Sequence, residues 1–248
     1  MSNTHRRTTS YNSFSNISHN EGLRQYFLKI YSLMCSGLLI TAISALLVFS
    51  VPALTNLMFN VAPGGYLVGM TSIGWIVTFL PLGIALYFSF GYNKINAQNA
   101  QILFWVYSCL MGMSLSSLGF AYTGTSIART LFICSSMFGG MSIYGYITKK
   151  DLTSIGSFLY MGLMGLTIIS IINIFFQSSA VEFTLSIIGV LVFTGLIAYD
   201  TQKLKALYYQ GIDNSDKMSI MAAFTLYLDF INLFLFLLKL LGVRKENH

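Results

Sequence analysis

The chain has 248 residues, of which 55% are hydrophobic and only 9% charged. Soluble domains carry about 25% charged residues, so this chain cannot cover a water-facing surface, and lipid must be its solvent. Its net charge of +6 comes without the basic–aromatic interleaving of a nucleic-acid binder, so no nucleic-acid partner is expected and the basic loops are read as facing anionic lipid.

The first segment, MSNTHRRTTSYNSFSNISHNEG, is polar and rich in Ser, Asn and Thr, which predicts a disordered tail over residues 1–25. No apolar stretch follows Arg6 and Arg7 closely enough for a signal peptide, so the tail reads as cytosolic. Apolar stretches then recur near 26–51, 67–90, 100–122, 128–147, 154–176, 183–205 and 218–242. Each has the length of a helix that crosses a bilayer, about 20 residues, and none alternates like a β-barrel strand. The fold class is an all-α membrane protein, with a seven-helix transmembrane domain over 26–242 and a short C-terminal tail over 243–248.

The fourth span is rich in small residues (CSSMFGGMS), which favours close helix packing. The same role is expected for Gly112, Gly139, Gly140, Gly145, Gly156, Gly162 and Gly165. Met161 and Met164 are expected to face lipid or fill the core. In TKKDL, Asp151 is placed to start the next helix. Asn173 reads as a residue that hydrogen-bonds between helices. Cys35, Cys109 and Cys134 lie within spans; an odd number there suits packing better than a disulfide framework. His5, His19 and His248 are confined to the tails, and no Cys/His spacing suits zinc, so no resident cofactor is expected.

Charge predicts the orientation. With seven spans, Arg6, Arg7, Arg24, Lys94, Lys149, Lys150, Lys203, Lys205 and Lys217 share one side, and Arg129, Lys239, Arg244 and Lys245 the other. The positive-inside rule puts the N-terminus in the cytoplasm. The basic C-tail dissents, and a re-entrant last segment would return it to the cytoplasmic side, so the side of the C-terminus stays open.

Two acids interrupt the most apolar sequence: Asp200 in GVLVFTGLIAYDTQKL and Asp229 in AAFTLYLDFINLFLFLL. An Asp at the centre of a membrane helix costs roughly 2.5–3.5 kcal/mol on insertion scales. The two lie on consecutive spans joined by one short loop, so both approach from the same membrane side and can meet. Such carboxyls would titrate as a coupled pair and switch with pH. Ionised, they would attract a hard cation such as Ca²⁺, as a transient site rather than a tight one, since two carboxylates are few ligands. A local alternative pairs Asp200 with Lys203 or Lys205 one turn on. Asp229 has no cation one turn away; Asn232 could share its polar face.

The stretch YTGTSIARTLFICSSMFGGMSIYGYITKKDLTSIGSFLYMGLMGL, the AYDTQKLK after it and SIMAAFTLYLDFINLFLFLLKLLG resemble the Bax inhibitor-1 family, also called the transmembrane Bax inhibitor motif family, and within it the bacterial YccA-like branch. The resemblance covers roughly residues 20–245. It implies six helices surrounding a central last helix, and a pH-sensitive calcium leak in an inner membrane, not an enzyme. Asp200 and Asp229 match the family's paired aspartates, which hold a closed or open state according to protonation. Ca²⁺ and protons would be the ligands, with Ca²⁺ as a transported ion. Where the family's bacterial calcium-leak member has an Arg near the end of the second span, Lys94 is the only cation here, and its first-span Glu has no counterpart.

Two other readings compete. A non-conducting regulator would bind a membrane-protein partner such as a protease or quality-control complex. An intramembrane aspartyl protease also pairs a YD with a second Asp and would share a proton between them. Its second Asp follows a glycine, however, and here Asp229 follows Leu226-Tyr227-Leu228.

Overall fold

The computed structural model describes residues 3–62, 67–91, 95–211 and 216–245, with side chains from residue 21 onward. Helical backbone begins with α1 (Asn3–Ser50), inside the segment expected to be a disordered tail. No Gly or Pro precedes Gly22, so nothing in the backbone interrupts the helix there. The part long and apolar enough to cross a membrane starts at Glu21.

After α1 the chain makes a short helix, α2 (Pro52–Met58), with Pro52 at its first position, where a missing N–H costs no hydrogen bond. Strands β1 (Phe59–Val61) and β2 (Leu67–Met70) follow and pair antiparallel. The second span therefore opens at Ser72 rather than at 67: Leu67–Met70 is extended because its backbone groups are used by β1. The remaining elements are α3 (Ser72–Gly91), α4 (Ala97–Leu115), a single turn α5 (Leu118–Ala121), α6 (Gly124–Ile147), α7 (Thr153–Phe176), α8 (Ser179–Tyr209) and α9 (Asp216–Leu241). Among the described residues, seven helical segments are long and apolar enough to cross a membrane, which matches the seven expected spans.

The starts follow from side chains that accept the free amides of a first turn. Asn96 accepts from the Asn99 amide at 2.8 Å, Thr123 from Ser126 at 3.3 Å and Ser178 from Val181 at 3.4 Å. Asp151 accepts from the Thr153 amide at 2.9 Å, so it does start α7, from two residues before it. The hydrogen bonds to Thr153 hold the exposed Asp151 carboxyl below the usual Asp range, which suits an acid at a helix N-terminus. Asn173 differs from expectation. Its amide closes the turn from α7 to α8 by bonding both backbone groups of Ser178, so it works within one turn rather than between helices. That turn contains Gln177 in the left-handed region, at φ 49°.

α9 is the centre of the bundle, as the resemblance implies. Two thirds of its most apolar window is buried, against 6% for α7. It packs against α1, α4, α6 and α8. Rings from α3 and α4 clasp it: Phe88 stacks on Phe224 at 4.6 Å, Tyr107 meets Phe224 edge-on at 4.9 Å and Phe104 meets Tyr227 at 5.6 Å. Tyr227, fully buried, has its hydroxyl 2.7 Å from Thr41 Oγ1, which in turn donates to a backbone carbonyl. The lipid-facing surface is apolar, and Met161 and Met164 lie on it.

Three of the seven glycines are close-packing contacts. A Cβ on Gly112 would sit 2.2 Å from the Thr41 carbonyl oxygen, one on Gly145 2.2 Å from that of Ala198, and one on Gly156 2.3 Å from the Tyr199 ring. Gly139, Gly140 and Gly165 have open space where a Cβ would go, and Gly162 only an ordinary contact with Val192. The small-residue run of α6 is thus a contact at Gly145 and open at its middle.

The C-tail lies at the end of the bundle opposite the α8–α9 connection. Val243 accepts from the Thr123 amide and donates to Ser126 Oγ, and the Lys245 amide reaches the Ala121 carbonyl. Lys245 Nζ donates to the Gly119 carbonyl and sits over the Phe49 ring at 5.3 Å. Arg244 pairs with Glu182 at 3.7 Å. α9 is therefore one continuous helix that runs from one end of the bundle to the other rather than a re-entrant segment, and Arg244 and Lys245, which dissented from the charge rule, are tied to partners at that end.

Gly145→Val is expected to destabilise the protein by about 1–3 kcal/mol, as overpacking does. Gly140→Val should stay within about 0.5 kcal/mol, as for an unpacked surface position. Thermal unfolding of the purified variants in detergent measures both.

Candidate functional site

α8 carries Asp200 nine residues before its end at Tyr209, and α9 carries Asp229 thirteen residues after its start at Asp216. At 1.5 Å per residue these are depths of roughly 14 and 20 Å from one end of the bundle. The helices run antiparallel and in contact along their length, so the two acids come to nearly the same level. Gly145 lets α6 approach α8 at Ala198, one half-turn before Asp200. Gly156 lets α7 lie on Tyr199. The small residues therefore press three helices together around the first acid.

Both acids are buried, Asp200 at 3% exposure and Asp229 at 6%. Their carboxyl groups act on each other across the α8–α9 contact. Their surroundings differ. Tyr160 on α7 donates its hydroxyl to Asp200, at 3.1 Å from Oδ1 and 3.4 Å from Oδ2. Asp229 Oδ2 is buried with no hydrogen-bond partner. A buried carboxylate without donors costs several kcal/mol, so this oxygen is the least satisfied polar atom of the site. Besides each other, the titratable and charged groups that act on the pair are Tyr160 from α7 and Lys203 from α8 itself.

The local ion-pair reading of Asp200 is not what forms. Lys203 Nζ lies over the Tyr199 ring at 5.9 Å and acts on Asp200 only through space. Lys205 Nζ donates to the Tyr146 carbonyl at 2.7 Å and sits over that ring at 5.2 Å. Their long stems let both ammonium groups turn away toward the end of the bundle. Asn232 is also not part of the pair: its amide donates to the Leu228 carbonyl of its own helix at 2.8 Å. Lys94 lies outside the described residues.

Tyr160 is the residue that sequence reading missed. It stands in FLYMGLMG with no polar neighbour, and only the packing of α7 on α8 aims its hydroxyl at Asp200. For a metal ion the site offers two carboxylates and one phenol. Among the described residues no third His, Cys, Asp or Glu joins them. Ca²⁺ takes six to eight oxygen ligands, more than these three side chains supply.

The chain matches the family model described as inhibitor of apoptosis-promoting Bax1 over residues 23–246. It is 56% identical over 233 residues to an uncharacterized protein of Rickettsia prowazekii, covering 93% of this chain and 94% of that one. It is 43% identical over 229 residues to the inner membrane protein YbhL of Escherichia coli K12, covering 90% and 94%. A Caulobacter vibrioides protein is 42% identical over 235 residues, covering 94% of each.

Tyr160→Phe should cost about 1.5–3 kcal/mol, the worth of a hydrogen bond to a charged group. In Asp200→Asn the same change should cost about 1 kcal/mol less, so a double-mutant cycle by thermal unfolding detects the coupling. Asp229→Leu, which removes the unpartnered carboxyl, is expected to melt at or above the wild-type temperature.

Proposed function

The chain belongs to the Bax inhibitor-1 family, and we propose on that premise that it is a cation leak of a bacterial inner membrane, gated by protons at Asp200 and Asp229. The observation that supports this most is the pair itself: two carboxyls side by side within an apolar bundle, one of them with an oxygen left without a partner. With one proton between them, the acids hold α8 against α9. With none, two adjacent negative charges repel each other in a medium of low dielectric and draw in a cation. Either change acts on α9, which α1, α3, α4, α6 and α8 touch, so a local proton event can alter the whole bundle. Calcium is the cation proposed, because hard oxygen ligands suit it.

The inner-membrane setting draws on the name of YbhL. The N-terminus is proposed to be cytoplasmic, since Lys149, Lys150, Lys203 and Lys205 flank the same end of the bundle. Asp200 and Asp229 would then lie on the cytoplasmic half of the path. Proteolysis finds little support in the geometry: Asp229 is enclosed by its own bundle at 6% exposure, and a peptide bond could not reach it without displacing α9.

Reconstitution into liposomes that contain a calcium indicator tests this directly. Wild-type protein is expected to pass Ca²⁺ at a rate that changes across about pH 6 to 8. Asp200→Asn and Asp229→Asn should each leave a rate that no longer changes with pH. No flux at any pH, with a membrane protein co-purifying, would favour a regulator instead. Unchanged pH dependence in both variants would remove the proton-sensing role.

A further inference from the structure

A second polar site lies at the other end of the bundle, away from the aspartates. The C-terminal end of α7, the N-terminal end of α8 and the last turns of α9 line an open cavity of about 290 Å³. Its polar lining includes Ser170, Gln177, Glu182 and Lys239, with Phe236 on its wall. Lys239 has no carboxylate partner among the described residues; its ammonium rests only over the Phe236 ring, at 6.0 Å. The hydroxyl of Ser170 and the amide of Gln177 add uncharged donors to the same lining. Glu182 supplies a carboxylate on the same cavity, held from outside by Arg244 at 3.7 Å.

Its position sets what can enter. Three membrane-crossing helices begin or end here, which is the depth of lipid headgroups. The rim is lipid-facing and apolar: Ile174 is 68% exposed, Phe175 82% and Phe183 57%. A ligand that reaches this cavity along that rim must have an apolar body and a polar head. Lys239 with its neighbouring donors suits a phosphate, and Glu182 suits an ammonium that can donate hydrogen bonds. A phosphate and a primary ammonium joined by a short linker match both ends at once.

We propose that this cavity is a binding site for a phospholipid with a phosphoethanolamine headgroup, with the phosphate on Lys239 and the ammonium on Glu182. Phe236, on the same wall, lies under the Lys239 ammonium. Gly189 places α8 directly on the Phe236 ring, where a Cβ would come within 2.6 Å. The site is thus tied to the central helix, and an occupied headgroup would brace α8 and α9 at the end opposite the aspartate pair. The proposal does not depend on ion conduction.

Native mass spectrometry of the full chain, released from detergent with equal amounts of phosphatidylethanolamine, phosphatidylcholine and phosphatidylglycerol, tests it. Wild-type protein is expected to retain phosphatidylethanolamine at least about threefold over either competitor, the choline headgroup lacking an N–H and the glycerol headgroup lacking a cation. Lys239→Met and Glu182→Gln should each lower that retention by about tenfold, the scale of one charge-assisted contact. Arg244→Gln should keep it, which separates the headgroup contact from the Glu182–Arg244 ion pair. Helicity by circular dichroism identifies any variant that fails to fold, and in that case the wild-type preference decides. Equal retention of the three lipids, or no retained lipid, overturns the proposal. Retention unchanged in both folded variants does so too.

Discussion

An acid enclosed inside a helix bundle cannot be solvated, and the arrangement around α9 follows from that constraint. α9 is buried on nearly every side, so whatever polar group it carries must be satisfied by its neighbours. Tyr227 is satisfied by Thr41 on α1. Asp229 faces another acid, and among the described residues one of its oxygens has no hydrogen-bond partner. A stable core would not keep such a group for packing alone, because replacing buried ionisable groups by apolar ones of similar size is often neutral or stabilising. The cost of Asp229 is the best physical sign that the position serves something other than stability.

The neighbouring helices differ in how firmly they hold the pair. α6 reaches α8 through a backbone contact at Gly145 and Ala198, which admits no rearrangement without separating the helices. α7 is the least buried of the spans, touches the bundle through α8, and supplies the one hydroxyl that Asp200 receives. The donor to the first acid therefore stands on the most loosely held helix. A change in the charge of Asp200 would be felt by α7 first.

The two ends of the bundle are built differently. At the end near the aspartates, α1 is joined to the start of α9 by the Lys29–Asp216 ion pair, and Lys203 and Lys205 lie over tyrosine rings. At the other end the C-tail is bonded to the turn before α6 through its backbone. Basic residues there have local partners in Glu182, Phe49 and the Gly119 carbonyl. This explains why a charge count across the membrane was ambiguous: it treats every Lys and Arg as free, and those of the C-tail are not.

The sequence by itself determined the membrane setting, the seven spans, the two acids and the side from which they approach each other. These depend on local composition and on chain order, and a 20-residue apolar run has one plausible fate in a bilayer. It also placed Asp151 at a helix start, because a cap is a short-range interaction. Only the tertiary structure decided which small residues make contacts, since Gly145 and Gly140 look alike in the chain and differ in what stands opposite. Only it could send Lys203 and Lys205 away from Asp200, keep Asn232 on its own helix and Asn173 within its own turn, and bring Tyr160 to the pair from forty residues away. Those outcomes depend on the angle and depth at which helices cross, and no spacing along one helix records them.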